Sequence, residues 1–281
     1  MRTKKTLNAT VHGSSILDVN PGQWNNRLII GSPAVGLVRM EWVNGRFGQT
    51  IPTNWSHIEY QQFMGAYYPI RYQIADAENI IARQVVERGF EWLLFIEHDN
   101  VLPPNTFVKL NTYIIKADVP IVGALYFTKS EPPEPMVYKE FGRGYFADFK
   151  LGEKVWVKGL PFGCTLIHGS IIRALWNESP EYVAGNCVTR RIFHHPEDTF
   201  YSDSGDYLLS QGTTDLRFCK DIVDKKIFEK AGWPKYQKME HPFLVDTNIF
   251  VKHIDQDGVQ WPTILPDAFA KGKKTLKACL Q

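Results

Sequence analysis

The chain has 281 residues, 44% of them hydrophobic, with 32 Lys and Arg against 30 Asp and Glu. That is enough apolar material for a sizeable core in one large domain or two small ones, while a net charge of +2 gives no broad basic field of the kind that gathers nucleic acid, so no nucleic-acid partner is expected. The four cysteines, Cys164, Cys187, Cys219 and Cys279, are too widely spaced for paired Cys-x-x-Cys zinc ligands and read as reduced thiols of a cytoplasmic protein.

Arg2, Lys4 and Lys5 open the chain with no apolar segment of signal-peptide length behind them, and the longest apolar runs fall short of a membrane span, so neither export nor membrane crossing is expected. Residues 1–26 are polar and aperiodic. Arg27-Leu28-Ile29-Ile30 is the first strand, running into a loop, Gly31-Ser32-Pro33-Ala34-Val35-Gly36, suited to a ligand. Asp76 stands as an N-cap before Ala77, Ile80, Ile81 and Val85 at helical spacing, and Arg88-Gly89 closes that helix over 77–88. A strand over 91–96, a helix over 104–116 and a strand over 119–127 follow. This alternation predicts a parallel sheet covered by helices.

From 128 to 162 the texture changes to prolines, glycines and aromatics, and Val155 and Val157 mark a short strand at an antiparallel edge. Thr165-Leu166-Ile167-His168 forms a further strand, and Ser170 caps a helix from Ile171 to Leu175. A long polar loop runs from about 177 to 213. Thr214 then caps a helix carrying Leu216, Cys219, Ile222, Val223 and Ile227, and 246–253 reads as the last strand. One domain over 27–255 is expected, with extensions at 1–26 and 256–281. Lys271, Lys273, Lys274 and Lys277 give the C-terminal one a basic character suited to weak contact with an anionic membrane surface.

The most informative stretch is Glu-Trp-Leu-Leu-Phe-Ile-Glu-His-Asp-Asn-Val-Leu-Pro-Pro at 91–104, where an apolar run ends in two carboxylates before a proline pair. If the strand continues, Glu97 and Asp99 leave the same side and can converge on a hard cation, with His98 pointing elsewhere. On composition alone, a polar turn at Asp99-Asn100 explains the segment equally well.

Taken in order, Glu97-His98-Asp99 after a buried strand, Asp215 within Thr213-Thr214-Asp215-Leu216-Arg217, and a late His253 resemble a glycosyltransferase of the A fold, similar to the family 2 nucleotide-sugar-dependent enzymes, over residues 27–255. The resemblance implies a Rossmann-like α/β fold: a mixed, mostly parallel sheet flanked by helices, with a short antiparallel edge. It implies Mn2+ or Mg2+ held with the donor diphosphate by Asp99 and His253, with Glu97 a ligand or acting nearby through water. Asp215 becomes the general base of an inverting transfer from a UDP- or GDP-sugar to a hydroxyl of a glycan or other acceptor. The donor is expected over Ser32, Pro33 and Gly36, with Asp76, Glu97 and His98 also contacting it. Many relatives carry Arg-Asn where this chain has Glu78-Asn79, which removes a cation from the diphosphate side.

Around the acceptor, Phe162-Gly163-Cys164 is expected to flank the pocket, with Trp176, Tyr201 and Trp233 as faces for stacking. His194-His195 with Asp198, Asp203 and Asp206 fits a polar lid better than a second metal site. Two other functions compete: a sugar-phosphate nucleotidyltransferase, against which the loop from Gly31 to Gly36 lacks Lys or Arg, and a non-catalytic glycan-binding module, suggested by 13% aromatics.

Overall fold

The computed structural model describes residues 24–195, 199–201, 208–210 and 213–264. The polar N-terminal extension up to residue 23, the basic tail, Asp198, Asp203, Asp206 and the side chain of Tyr201 lie outside the described residues. In chain order the elements are β1 (Asn26–Gly31), α1 (Met40–Phe47), α2 (His57–Met64), α3 (Ile74–Arg88), β2 (Phe90–Ile96), β3 (Asn100–Val101), α4 (Thr106–Lys116) and β4 (Ile121–Leu125). They continue with β5 (Lys154–Val157), β6 (Cys164–His168), α5 (Gly169–Glu178), β7 (Glu181–Ala184), β8 (Cys187–Arg190), β9 (Thr199–Tyr201) and β10 (Leu208–Ser210). Last come α6 (Thr214–Asp224), α7 (Ile227–Lys230), α8 (Pro234–Gln237), β11 (Phe243–Phe250), β12 (Lys252–Ile254) and β13 (Gln260–Trp261).

Strands with continuous apolar runs must be covered on both faces, and six of them form one central sheet in the order β1-β2-β6-β4-β11-β5. β1, β2, β4 and β11 share a direction, while β5 at the edge and β6 in the middle run against them. The expected mixed, mostly parallel α/β sheet with a short antiparallel edge is therefore present, and the reversed central β6 is an addition to it. Alternation along β2 divides the core: Leu93 and Phe95 pack with Ile81 of α3, Ile172 of α5 and Phe218 of α6 on one face, and Leu94 and Ile96 with Trp42, Phe63 and Leu110 of α1, α2 and α4 on the other. No helix among the described residues is long and apolar enough to cross a membrane.

Several local expectations change. α3 starts at Ile74 with Gln73 before it, so Asp76 sits in the first turn rather than at the cap. α5 is capped by the His168 side chain, which accepts from the Ser170 amide, so Ser170 is not the cap. Thr213, not Thr214, precedes α6. The supposed loop from 177 to 213 holds the β7–β8 hairpin and the β9–β10 pair; the hairpin is two-sided and leaves Val183 and Val188 exposed, so the sequence lacks a clear buried face there. α1 and α2 supply the cover that the segment between the first loop and α3 had not suggested.

The strand expected at 246–253 is two strands. At Val251, whose amide donates to the Leu125 carbonyl at 2.8 Å, the chain leaves the main sheet, and β12 joins a small sheet in the order β13-β12-β3. There Lys252 pairs with Val101 and His253 with Asn100. This register brings the end of β11 back across the tip of β2.

Candidate functional site

β2 ends at Ile96. A turn closed by the Asn100 amide on the Glu97 carbonyl, 3.2 Å, carries His98 and Asp99, so strand alternation does not govern where the two acids point. Glu97 is tied by its backbone: its amide donates to the Gly163 carbonyl at 3.0 Å, and Trp42 Nε1 donates to its carbonyl at 2.8 Å. Gly163 permits this approach, since a Cβ there would stand 2.5 Å from the Tyr126 ring and 2.7 Å from Asn100 Nδ2.

The same turn sets Asp99 against β12. The Ile254 amide donates to the Asp99 carbonyl at 2.7 Å, and His253 Nε2 lies 3.3 Å from Asp99 Oδ2. His253 Nδ1 is 2.9 Å from the Phe127 carbonyl oxygen, which can only accept, so Nδ1 donates there; Nε2 is thereby turned to Asp99 Oδ2, donating to it in this arrangement and offering a cation its lone pair once that proton leaves. Two electron-rich atoms at this separation suit a shared cation: neighbouring ligands of an octahedral ion bonding at about 2.1 Å stand roughly 3 Å apart. The Lys129 ammonium also pairs with Asp99 Oδ2. Burial works against charge on Asp99, but His253 and Lys129 outweigh it and hold the carboxyl well below its ordinary range. Glu97 does not join this pair: among the described residues the trio of acidic, His or Cys ligand atoms mutually within 4.8 Å is Glu140, Glu240 and His241, and Glu140 already holds Lys158 at 2.8 Å.

Asp215 lies in the first turn of α6, 8% exposed. Burial pushes its carboxyl up to about 6, against the pull of backbone amides that include Leu216 at 2.8 Å, and the Thr213 hydroxyl also donates to it. Half-buried Glu97 is pushed up to about 8 by burial, by Asp99 and by Asp215. Glu78 on α3 is 1% exposed; Oε1 accepts from the Thr214 hydroxyl at 3.4 Å, and Oε2 has no hydrogen-bond partner among the described residues. Its carboxyl is raised well above the ordinary value by burial, then by Asp215 and Glu97. Thus Glu78, Glu97 and Asp215 share one electrostatic neighbourhood beside the Asp99–His253 pair.

The first loop is joined to the turn by His98, whose Nδ1 lies 3.2 Å from the Pro33 carbonyl. His98 thus faces the first loop. Ser32 and Pro33 are buried and Gly36 is exposed; the Ser32 hydroxyl has no partner among the described residues. Gly36 has φ +113°, and a Cβ there would press on Ile70 at 3.2 Å, so the bend after Ala34 requires glycine. Asp76 accepts from the Tyr182 hydroxyl at 2.8 Å and lines a separate cavity with Tyr182 and His194. Trp176 and Trp233, expected as stacking faces, pack against the core cluster instead.

Sequence reasoning missed Lys129, which sits in a proline-rich segment without periodicity, and treated Glu78 only as a missing cation. It also missed Glu140, Glu240 and His241, which no short spacing connects. No family model matches the chain. A search against curated proteins finds no match. A solved structure with some likeness is A197 from STIV, at 12% identity and a TM-score of 0.48, covering 84% of this chain and 88% of that one.

Proposed function

We propose that this chain is a metal-dependent glycosyltransferase, moving a sugar from a UDP- or GDP-sugar to a hydroxyl of a glycan or other acceptor with inversion. The observation that carries this reading is the His253 ring, fixed through Nδ1 on the Phe127 carbonyl so that Nε2 and Asp99 Oδ2 converge. Asp99 and His253 would hold Mn2+ or Mg2+, and the mixed oxygen and imidazole donor set favours Mn2+. When bound, such an ion supplies positive charge against which a diphosphate leaving group departs without a proton.

The chain's own residues do the rest. Lys129 adds a second positive charge beside Asp99, where the replacement of Arg by Glu78 leaves the α3 side without one. Gly36 and the Pro33–His98 contact keep the first loop against the turn, so a nucleoside lying over the loop would have its diphosphate at Asp99. Asp215 accepts the acceptor hydroxyl's proton as that oxygen attacks; a carboxyl brought to about 6 is ionised at neutral pH yet a better base than an ordinary aspartate. The three described cysteines, Cys164, Cys187 and Cys219, are free thiols, which supports placing the reaction in the cytoplasm.

The test is a panel of nucleotide sugars assayed for transfer and slow hydrolysis, with Mn2+ and with chelator. Turnover of at least one donor, dependent on Mn2+ and abolished in Asp215→Ala with donor binding intact, is expected. Persistent transfer by Asp215→Ala would contradict the inverting assignment, and release of pyrophosphate from a nucleoside triphosphate would contradict the transferase reading itself.

A further inference from the structure

We propose that the cavity between the first turn of α3, the β7–β8 hairpin and residues 191–195 binds an anionic monosaccharide, a sugar unit carrying a carboxylate or phosphate, as part of the acceptor. The word acceptor rests on the transferase reading above; the binding does not. The cavity measures about 270 Å3 and is lined by Asp76, Tyr182, Arg191, His194 and His195 among others. Ligand pockets for drug-sized molecules run from about 300 to 1,000 Å3, so this one suits a single ring with its substituent rather than a nucleotide sugar. Asp99, His253 and Asp215 do not line it.

Its walls are held in place from below. Asn79, fully buried on α3, donates from Nδ2 to the Tyr182 hydroxyl at 2.9 Å and to the Phe193 carbonyl at 2.7 Å. Its Oδ1 accepts from the Ile192 and Phe193 amides at 2.8 and 2.9 Å. The Tyr182 hydroxyl in turn donates to Asp76 at 2.8 Å, and His194 Nε2 is fastened to Asp221 at 3.1 Å. A polar cavity whose lining is fixed by a buried, fully bonded amide is organised before any ligand arrives.

Asp76 and Arg191 bring opposite charges to the cavity, and of the two Asp76 is taken up by the Tyr182 hydroxyl while Arg191 is left for a ligand. Asp221 is already matched by Arg217, Lys225 and His194, and Arg190 by Glu181. Arg191 has no ion pair among the described residues and lies over the Tyr182 ring at 5.1 Å. An unmatched guanidinium at a cavity mouth suits the planar bidentate recognition of carboxylate or phosphate, while Asp76 and the histidines offer partners for ring hydroxyls. Position supplies the link to the acceptor. Asp221, which anchors His194, follows Asp215 by six residues on α6, roughly 9 Å along the helix, more than one sugar unit, so an acceptor of at least two units would span it.

The test uses the full chain in chelator without donor, with glucuronate, glucose 6-phosphate and glucose as probes followed by saturation-transfer NMR and titration. At least one anionic sugar should bind ten-fold or more tightly than glucose, and which one does so separates a carboxylate from a phosphate ligand. Arg191→Gln, an exposed side chain whose exchange leaves the fold intact, should weaken that binding at least ten-fold; Asp99→Asn should leave it unchanged. Equal binding of glucose, binding indifferent to Arg191→Gln, binding lost in Asp99→Asn, or none at millimolar probe would each overturn the inference. Anion binding in a chain that turns over no nucleotide sugar would uphold the site and remove only its designation as acceptor.

Discussion

Asp215 couples burial to chemistry in a way pH can read. Its folded value of about 6 lies above the ordinary 3.8, so the folded state holds its proton more tightly than the unfolded chain does. The resulting stability is fully present below the unfolded value and is lost as pH rises through about 6. Asp215→Asn cannot ionise, and thermal melts should show it as stable as the parent near pH 4 and more stable at pH 7 to 8, on the order of 1–3 kcal/mol. Transfer by the parent should fall about ten-fold per unit below pH 6 and level off above it; a flat profile from pH 5 to 8 would remove Asp215 from the base role. Asp99, His253 and Asp215 were visible in the sequence as isolated signals. Their surroundings were not: Lys129 meets Asp99 across 30 residues, and Glu78 meets Thr214, the residue before Asp215, across 136, separations at which no local period speaks.

The legible elements were those whose apolar period is strong. β1, β2, β4, β5, α3, α4 and α6 lie close to their expected places because their buried faces are continuous. The β7–β8 hairpin was hidden because it is held by hydrogen bonds to Asn79, whose carbonyl accepts from the Thr189 hydroxyl and whose Nδ2 donates to the Tyr182 hydroxyl, rather than by an apolar stripe. Asn79→Ala would leave two buried amides without their acceptor, and denaturant unfolding should show a loss of about 2–4 kcal/mol with the hairpin region losing hydrogen-exchange protection first. Turn chemistry was the other blind spot. Gly163 reads as an ordinary small residue, yet the turn after β2 is built against it; Gly163→Ala should cost about 1–3 kcal/mol by overpacking on Tyr126 and Asn100. Donor binding should weaken in the same variant. Unchanged stability and donor binding would show that the contact is not limiting.

Across the molecule, the parallel strands β1, β2, β4 and β11 end on one side, and the switch of β11 into β12 is what brings His253 back to Asp99 at the end of β2. A late strand was foreseen, but its division between two sheets depends on the Val251–Leu125 bond, which sequence does not announce. The account rests on Asp99 and His253 acting together as a cation's ligands. Thermal melting of the parent, Asp99→Asn and His253→Ala with a UDP- or GDP-sugar, each with Mn2+ and with chelator, tests this most directly, because a ligand of the folded state at 100 times its Kd adds about 2.7 kcal/mol. The parent should be stabilised only when nucleotide sugar and Mn2+ are both present, and neither variant should respond. Equal stabilisation in chelator, or a full Mn2+-dependent response from Asp99→Asn, would contradict the account.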